Sequence, residues 1–219
     1  MKTIQVIPAT IHDVTEIARI HVDCWQNCYG FLPSELLSRR NKAFRLAQWS
    51  QWIKSPGLAE RLYVIRSGQS GIGFCFAKPC DDKDAPDGAG ELHAGYVLPK
   101  WRGTSAGPKL MLTMAQFLEQ HHKIPLIIWV FRQNPMRIWY AQLGWKKFIE
   151  RSRTIDGIEV AEYGYISPPL QQLYHRLNVM IENCDGRGVV PRRKRSYRLA
   201  HLPDPAGSGI TPETNQRTP

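Results

Sequence analysis

The sequence lacks a long hydrophobic segment. No stretch of its 219 residues approaches the roughly 18 consecutive apolar residues that a membrane span requires. The first ten residues carry one early lysine and no apolar run of roughly 7–15 residues, so they do not resemble a secretory signal. We therefore expect a cytoplasmic protein with no membrane partner.

Cysteine is scarce and irregularly spaced. The five cysteines are an odd number and include no C-x-x-C pair, which indicates neither a disulfide framework nor a zinc site. Cys24 and Cys28 are four residues apart, and we interpret them as small apolar side chains on one helix face. We expect no metal ion.

Acidic residues are too few to balance the basic ones. The chain has 29 Lys and Arg against 19 Asp and Glu, a net charge of +10, and residues 186–219 contribute seven basic and two acidic residues. This segment is rich in Pro and Gly and too poor in apolar residues to fold alone, so we predict a disordered basic tail. Its cluster at 191–198 either binds RNA, an acidic partner or an anionic surface, or is simply solvated.

Apolar periodicity predicts helices mixed with strands. Strands are expected at 4–7, 61–66, 72–78, 91–98, 126–131 and 145–149, and a last strand or hairpin at 155–166. Helices are expected at 12–25, 33–52, 106–121, 134–143 and 170–181. A β-turn-α unit stands at the centre, where the strand at 91–98 leads into the helix that begins near residue 106. The pattern indicates an α/β layer architecture.

The turn between this strand and this helix has the composition of a phosphate-binding loop. Small residues at 102–107 leave successive backbone N–H groups uncovered at a helix N-terminus, where the helix dipole favours an anion. Pro108 in the first turn loses only an N–H that has no intrahelical partner. A plain strand-to-helix turn would look similar, so the loop alone does not decide the function.

The loop and its strand resemble a known cofactor signature. Residues 91–99 followed by 101–107 are similar to the acetyl-CoA signature of the GNAT (GCN5-related N-acetyltransferase) family, which reads Arg or Gln, two residues, Gly, one residue, then Gly or Ala. Arg102 and Gly107 match the ends of the signature. Ser105 stands where the family usually has Gly, and its side chain is small enough to keep the backbone approachable.

A second segment, residues 129–145, resembles the second cofactor motif of the family. The resemblance implies that Tyr140 is the acid that protonates the departing CoA thiolate, and that Asn134 reaches the pantetheine arm. The alternatives are a core tyrosine and a helix N-cap, with Pro135 at the first helical position. Gly144 suits a helix C-terminal cap in either case.

The resemblance extends over about residues 3–166 and implies the fold. The family fold is a mixed, largely antiparallel twisted sheet of about six or seven strands flanked by helices. We therefore expect an acetyltransferase domain over 1–168, a further helix over 169–185 and the basic tail over 186–219.

The resemblance also implies the cofactor site. In the family the central strand splays from its neighbour, which frees main-chain groups for the pantetheine arm and the thioester oxygen. The cofactor residues implied here are Tyr96, Val97, Leu98, Arg102, Gly103, Thr104, Ser105, Ala106, Gly107 and Asn134. Acetyl-CoA is expected as co-substrate.

The base and the acceptor site are less sharply indicated. Glu91, acting through water, is the first candidate base and His93 the second, while a solvated charge at the strand start is the alternative for Glu91. Strict alternation would place both, with Gly95 and Val97, on one face, opposite the face that carries Leu92, Ala94, Tyr96 and Leu98. Trp25, Tyr29 and His93 are candidate acceptor-site residues, with core packing as the alternative. The aspartates at 81–87 either attract a cationic amine or form a solvated loop.

The sequence thus predicts an acetyl-CoA-dependent N-acetyltransferase that transfers acetyl directly to an amine in a ternary complex. No cysteine lies where the resemblance would need a nucleophile. The alternatives are a catalytically silent CoA-binding module and a toxin-like transferase that acts on aminoacyl-tRNA. The acceptor is a small-molecule or peptide amine, and a homodimer and a nucleic-acid contact through the tail stay open.

Overall fold

A single seven-stranded sheet organises the computed structural model, which describes residues 3–186. Its strands are β1 (Ile4–Pro8), β2 (Arg61–Ser67), β3 (Ser70–Pro79), β4 (Gly90–Val97), β5 (Leu126–Phe131), β6 (Lys146–Ile155) and β7 (Ile158–Ile166). The strand order is β1-β2-β3-β4-β5-β7-β6, and every neighbouring pair is antiparallel except β4 and β5. The predicted mixed, largely antiparallel sheet is confirmed.

Helices cover both faces of this sheet. They are α1 (Val14–Cys28), α2 (Ser34–Arg39), α3 (Lys42–Lys54), α4 (Ala106–Gln120), α5 (Arg137–Gln142) and α6 (Leu170–Asp185). On one face, α1 and α3 bury Ile17, Ile20 and Trp49 against Phe74. On the other face, the α4 stripe packs with Leu92 of β4 and Ile128 of β5. No helix within residues 3–186 is long and apolar enough to cross a membrane.

The helix predicted over 33–52 is in fact two helices. Asn41 has an extended backbone (φ −73°, ψ −178°), and its side-chain Oδ1 accepts a hydrogen bond of 3.1 Å from the Phe44 amide. Such an N-cap satisfies one of the four unpaired amides of a new helix, so α3 begins afresh after Arg40. The prediction of one continuous helix was wrong because apolar spacing alone does not reveal a cap.

Replacing Asn41 with alanine should therefore lower the free energy of unfolding by about 1 kcal/mol, because the Phe44 amide loses its acceptor. Urea unfolding followed by circular dichroism measures the change. Asn41→Asp is the matched control, since a carboxylate caps as well as an amide does. Equal stability of Asn41→Ala and the wild type would contradict the assignment of this cap.

A β-bulge in β4 changes which side chains face which helices. Phe76 of β3 pairs with Ala94 but Ala77 pairs with Leu92, so His93 is an extra residue. The predicted alternation holds as far as His93 and is wrong from Ala94 onward: Gly95 faces Met114 of α4, and Val97 packs in the α4 cluster. The members that share the α1–α3 face are Glu91, His93, Ala94, Tyr96 and Leu98.

The only parallel contact in the sheet is very short. β4 and β5 pair at Gly90 with Leu126 and at Glu91 with Ile127, and the paired register ends there. β5 continues to pair with β7 on its other edge as far as Phe131. Beyond Glu91 the two strands therefore diverge and leave a gap between β4 and β5.

Helix α6 brings the end of the described chain back to α4. Its Leu173 and Leu177 are fully buried in the same core cluster as Leu110 of α4. The helix continues four residues beyond the predicted end at Ile181, to Asp185. Most of the predicted basic tail, residues 187–219, lies outside the described residues.

Candidate active site

The loop before α4 presents a row of unpaired amides. Within residues 3–186, the N–H groups of Gly103, Ser105 and Gly107 donate no hydrogen bond, whereas the Lys109 amide makes the first helical bond, to the Ser105 carbonyl at 3.0 Å. Gly103 has φ +77°, a conformation that favours glycine and turns the chain into the loop. Because these donors stand at the N-terminus of a 15-residue helix, the loop fits a diphosphate.

A carboxylate from α6 lies against this loop. Asp185 Oδ1 accepts a hydrogen bond of 2.6 Å from the Ser105 hydroxyl, and Oδ2 pairs with Lys109 Nζ at 2.8 Å. Burial opposes ionisation, but the hydrogen bonds from Lys109 and Ser105 lower the pKa of Asp185 overall. Sequence reasoning missed this contact, because Asp185 and Lys109 are 76 residues apart and no local motif links them.

The Arg102 guanidinium makes three hydrogen bonds within the protein. Its Nη1 donates to Asn27 Oδ1 at 2.9 Å, its Nη2 lies 3.0 Å from Cys28 Sγ, and its Nε donates to the Val97 carbonyl at 3.3 Å. These contacts tie the end of β4 to the end of α1. The guanidinium thereby fixes the position of the loop relative to the gap.

The main-chain groups at the end of β4 differ in whether they are already hydrogen-bonded within the protein. The Leu98 amide donates to the Ile72 carbonyl at 2.9 Å, and the Leu98 carbonyl accepts from Trp101, so both groups are used. Because amides alternate in direction along an antiparallel strand, the Val97 N–H points toward the gap. Of the three predicted main-chain positions, Val97 presents its amide there.

Tyr140 on α5 lies among aromatic side chains beyond the gap. Its ring centroid is 6.3 Å from that of Tyr165 and 6.4 Å from that of Trp145. Burial raises the pKa of Tyr140, and neighbouring Tyr96 and Cys28 add to the rise. The phenol therefore stays protonated at neutral pH, and its hydroxyl makes no hydrogen bond to another residue within 3–186.

Asn134 precedes α5 and is buried. Its Oδ1 accepts a hydrogen bond of 3.0 Å from the Met136 amide, so it caps a turn, and the helix itself begins at Arg137 rather than at 134 as predicted. Within the described part of the chain, its side-chain nitrogen donates no hydrogen bond. The structure therefore leaves this donor available to a ligand.

The two candidate bases form one hydrogen-bonded pair. Glu91 Oε1 lies 2.6 Å from His93 Nδ1, and Glu91 Oε2 lies 3.5 Å from Lys78 Nζ. The Glu91 side chain is 8% exposed and that of His93 29%, so the imidazole is the more accessible partner. Both residues lie on the α1–α3 face, as expected for positions two apart in a strand, and the bulge brings Ala94 and Tyr96 to that face as well.

A cavity of about 500 Å³ opens beside this pair, lined in part by Trp129 and Arg151. The aspartates of the neighbouring loop are already paired. Asp81 binds Lys78 at 2.7 Å, while Asp82 and Asp84 each bind Arg151 at 2.5 Å. The hydrogen bonds that Arg151 donates to Asp82, the largest contribution, and to Asp84 raise the pKa of Arg151. These three carboxylates therefore hold the loop against β6 and β3 and do not form a free acidic patch.

Trp25 and Tyr29 form an aromatic wall on the α1–α3 face. The Trp25 indole N–H donates to the Tyr96 hydroxyl at 2.9 Å, and the Tyr29 ring lies 5.2 Å from the Trp25 ring, centroid to centroid. Both side chains are buried at the end of α1, and Tyr96 links them to β4. The structure thus brings the predicted acceptor residues next to the central strand.

A metal centre finds no support in the described part of the chain. No group of three or more His, Cys, Asp or Glu side chains within residues 3–186 could hold an ion, and all five cysteines are free.

Comparisons with known proteins identify the family. Residues 59–147 match the model of the Acetyltransferase (GNAT) domain. The chain is 31% identical over 173 residues to the uncharacterized N-acetyltransferase YuaI of Bacillus subtilis strain 168, which covers 78% of this chain and 96% of that protein.

Solved structures share the fold at low sequence identity. A GCN5-related N-acetyltransferase from Rhodopseudomonas palustris has a TM-score of 0.61 at 15% identity and covers 77% of this chain and 98% of its own. YncA from Salmonella typhimurium, solved with acetyl-CoA, has a TM-score of 0.57 at 16% identity over 74% of this chain and 92% of its own.

The domain match and the curated relative identify the protein as an N-acetyltransferase. With its YuaI relative and the domain match, the chain belongs to the GNAT family. The resemblance inferred from the two motifs is confirmed.

Proposed function

We propose that this enzyme transfers an acetyl group from acetyl-CoA directly to an amine, in a ternary complex. The observation that carries the proposal is the row of unpaired amides at Gly103, Ser105 and Gly107, beside the gap between β4 and β5. Solved relatives are consistent with it, since YncA is described with acetyl-CoA and PaiA from Thermoplasma acidophilum with coenzyme A.

Backbone groups hold the co-substrate in this proposal. Acetyl-CoA supplies an acetyl group activated as a thioester. The three amides of the loop bind its diphosphate, aided by the dipole of α4. The Val97 amide and the free side-chain nitrogen of Asn134 bind the pantetheine arm. No side-chain charge is required for these contacts, since the Lys109 ammonium is paired with Asp185.

The Glu91–His93 pair removes the proton from the attacking amine. The Glu91 carboxylate accepts the Nδ1–H of His93, which fixes the tautomer and leaves the Nε2 lone pair of the partly exposed imidazole free. His93 then accepts the proton, directly or through one water, and Glu91 stabilises the imidazolium that forms. Glu91 is therefore a positioning residue, and His93 the proton acceptor.

Tyr140 donates the proton that the departing sulfur needs. Its phenol is protonated at neutral pH and its hydroxyl is uncommitted within residues 3–186, which are the two properties that a general acid requires. The proton gained at His93 and the proton lost at Tyr140 balance over one turnover, after exchange with solvent.

Two measurements test the proposal. Isothermal titration calorimetry should show that the enzyme binds coenzyme A, and a thiol-release assay with a panel of amines should show turnover of acetyl-CoA. Failure of a folded sample to bind coenzyme A at millimolar concentration would contradict the proposal. Binding without release for any amine would instead favour a silent CoA-binding module.

The His93–Glu91 relay makes a separate prediction. His93→Gln should lower kcat by about 30-fold, less than complete loss of a general base because water in the open cavity can replace the imidazole. Glu91→Gln should lower kcat by about 10-fold. The kcat of the double variant should be no lower than that of His93→Gln alone, because the two groups act as one unit. Steady-state thiol release measures all three. Multiplicative losses in the double variant would show that the residues act independently.

A further inference from the structure

A buried arginine on α3 has no anionic partner. Arg45 is 3% exposed, and its Nη1 donates to Gln48 Oε1 at 2.8 Å. Within residues 3–186, its Nε and Nη2 have no hydrogen-bond partner, and no ion pair includes this guanidinium. Buried charges in proteins are normally paired, because an unpaired one loses its hydration without compensation.

The two free nitrogens are adjacent on the guanidinium. Nε–H and Nη2–H point along the same edge of the planar group, and this edge matches the two oxygens of a carboxylate or a phosphate. Burial lowers the pKa of Arg45 to about 10, which reflects how weakly its charge is compensated. The carboxylate on the β6–β7 turn does not fill the role, since Asp156 is bound by Arg40 at 2.7 Å.

Arg45 lies against the aromatic wall of the acceptor side. Its Cζ is 4.3 Å from the centroid of the Trp25 ring, and the Trp25 N–H donates to the Tyr96 hydroxyl. Tyr96 belongs to β4, directly before Val97, whose amide faces the gap. Through Trp25 and Tyr96, Arg45 therefore packs on the side of the sheet whose β4 face carries Glu91 and His93.

A second unpaired donor stands beside the same wall. His21 is 4% exposed, and its Nδ1 accepts a hydrogen bond of 3.1 Å from Trp49, so the neutral ring carries its proton on Nε2. That N–H is buried and has no acceptor within the described residues. Burial lowers the pKa of His21 well below its usual value, and the ring lies 4.6 Å from the Tyr96 ring, centroid to centroid.

We propose that Arg45 and His21 form an oxyanion-binding subsite for the acetyl acceptor, so that the acceptor is an amine that also carries a carboxylate or a phosphate. This proposal rests on the proposed function. It explains why two buried donors in one part of α1 and α3 lack protein acceptors. The oxyanion binds the free edge of Arg45, and the amine of the same molecule extends toward His93.

Matched pairs of amines test the subsite with the wild-type enzyme. Alanine is compared with alaninamide, and phosphoethanolamine with ethanolamine, each with acetyl-CoA in the thiol-release assay. The oxyanion-bearing member of at least one pair should have a kcat/KM about 30-fold higher than its neutral partner, the effect expected for a charge-assisted hydrogen-bonded pair. The pair that shows the preference distinguishes carboxylate from phosphate.

Arg45→Gln should abolish that preference while leaving the neutral amines and the affinity for coenzyme A unchanged. Arg45→Lys keeps the charge but not the two-nitrogen edge, and should retain only part of the preference. Equal kcat/KM within both pairs for the wild type, or an undiminished preference in Arg45→Gln, would overturn the subsite. The wild-type comparison needs no variant, so it stands even if Arg45→Gln does not fold. A wild-type enzyme that binds no coenzyme A would instead contradict the proposed function.

Discussion

Tyr140→Phe should lower kcat by about 300-fold and change the dissociation constant for coenzyme A by no more than about twofold. The expected loss is large because the sulfur leaves as a thiolate, and within residues 3–186 the hydroxyl of the protonated Tyr140 phenol makes no hydrogen bond to the protein. Removing one hydroxyl from a partly buried ring leaves the packing against Tyr165 and Trp145 in place. The thiol-release assay measures kcat, and calorimetry measures the dissociation constant for coenzyme A.

Tyr63→Phe is the matched control for this variant. Tyr63 lies on β2 and packs against Phe117 with ring centroids 6.1 Å apart, away from the gap. It loses the same atom from a similar environment, so its turnover should equal that of the wild type. If Tyr140→Phe turned over acetyl-CoA within about threefold of the wild type, another group would have to be the acid.

A glutamate in place of Gly107 should weaken coenzyme A binding by about 100-fold. A Cβ at Gly107 would meet only the Trp139 ring at 3.9 Å, an ordinary contact, so the fold should accept a side chain there. The new carboxylate would lie beside the unpaired amides and repel the diphosphate, since two unit charges at roughly 4 Å interact by about 4 kcal/mol at an effective dielectric constant of about 20. Calorimetry measures the affinity.

Gly107→Gln separates charge from bulk. The glutamine has the same size without the charge, so the loss of affinity for coenzyme A should be about tenfold smaller than in Gly107→Glu. Acetyl-pantetheine lacks the diphosphate, and its turnover should be similar in all three proteins. Equal losses for Gly107→Glu and Gly107→Gln would mean that the loop does not bind the diphosphate.

The central unit of the fold could be predicted because its signals are local. The strand before residue 98, the small residues in the loop and the amphipathic stripe of α4 all lie within one stretch of about 30 residues, although the predicted facing of the strand's second half was wrong. The same holds for strands β2 and β3, which are separated by a short Gly-containing turn. The positions of Tyr140 and Asn134 come from a motif, and their chemical roles stay predictions until the variants are made.

The rest depends on contacts between distant segments. The bulge at His93 is visible only when β4 is paired with β3, because an extra residue in one strand has no signature of its own in the sequence. Asp185 meets Ser105 across 80 residues of chain. Arg45 looks like an ordinary helix-surface cation until its burial beside Trp25 is known. Long-range packing therefore decides the electrostatics of the site.

The two-residue contact between β4 and β5 divides the sheet into two plates, one of four strands and one of three. Helix α4 spans the seam, since its core cluster contains Leu92 from one plate and Ile128 and Tyr163 from the other. The spacing of the reactive groups is therefore set by helix packing rather than by the sheet's own hydrogen bonds. A substitution deep in the α4 core would therefore alter the distance between His93, which lies on the four-stranded plate, and Tyr140, which packs against the three-stranded plate.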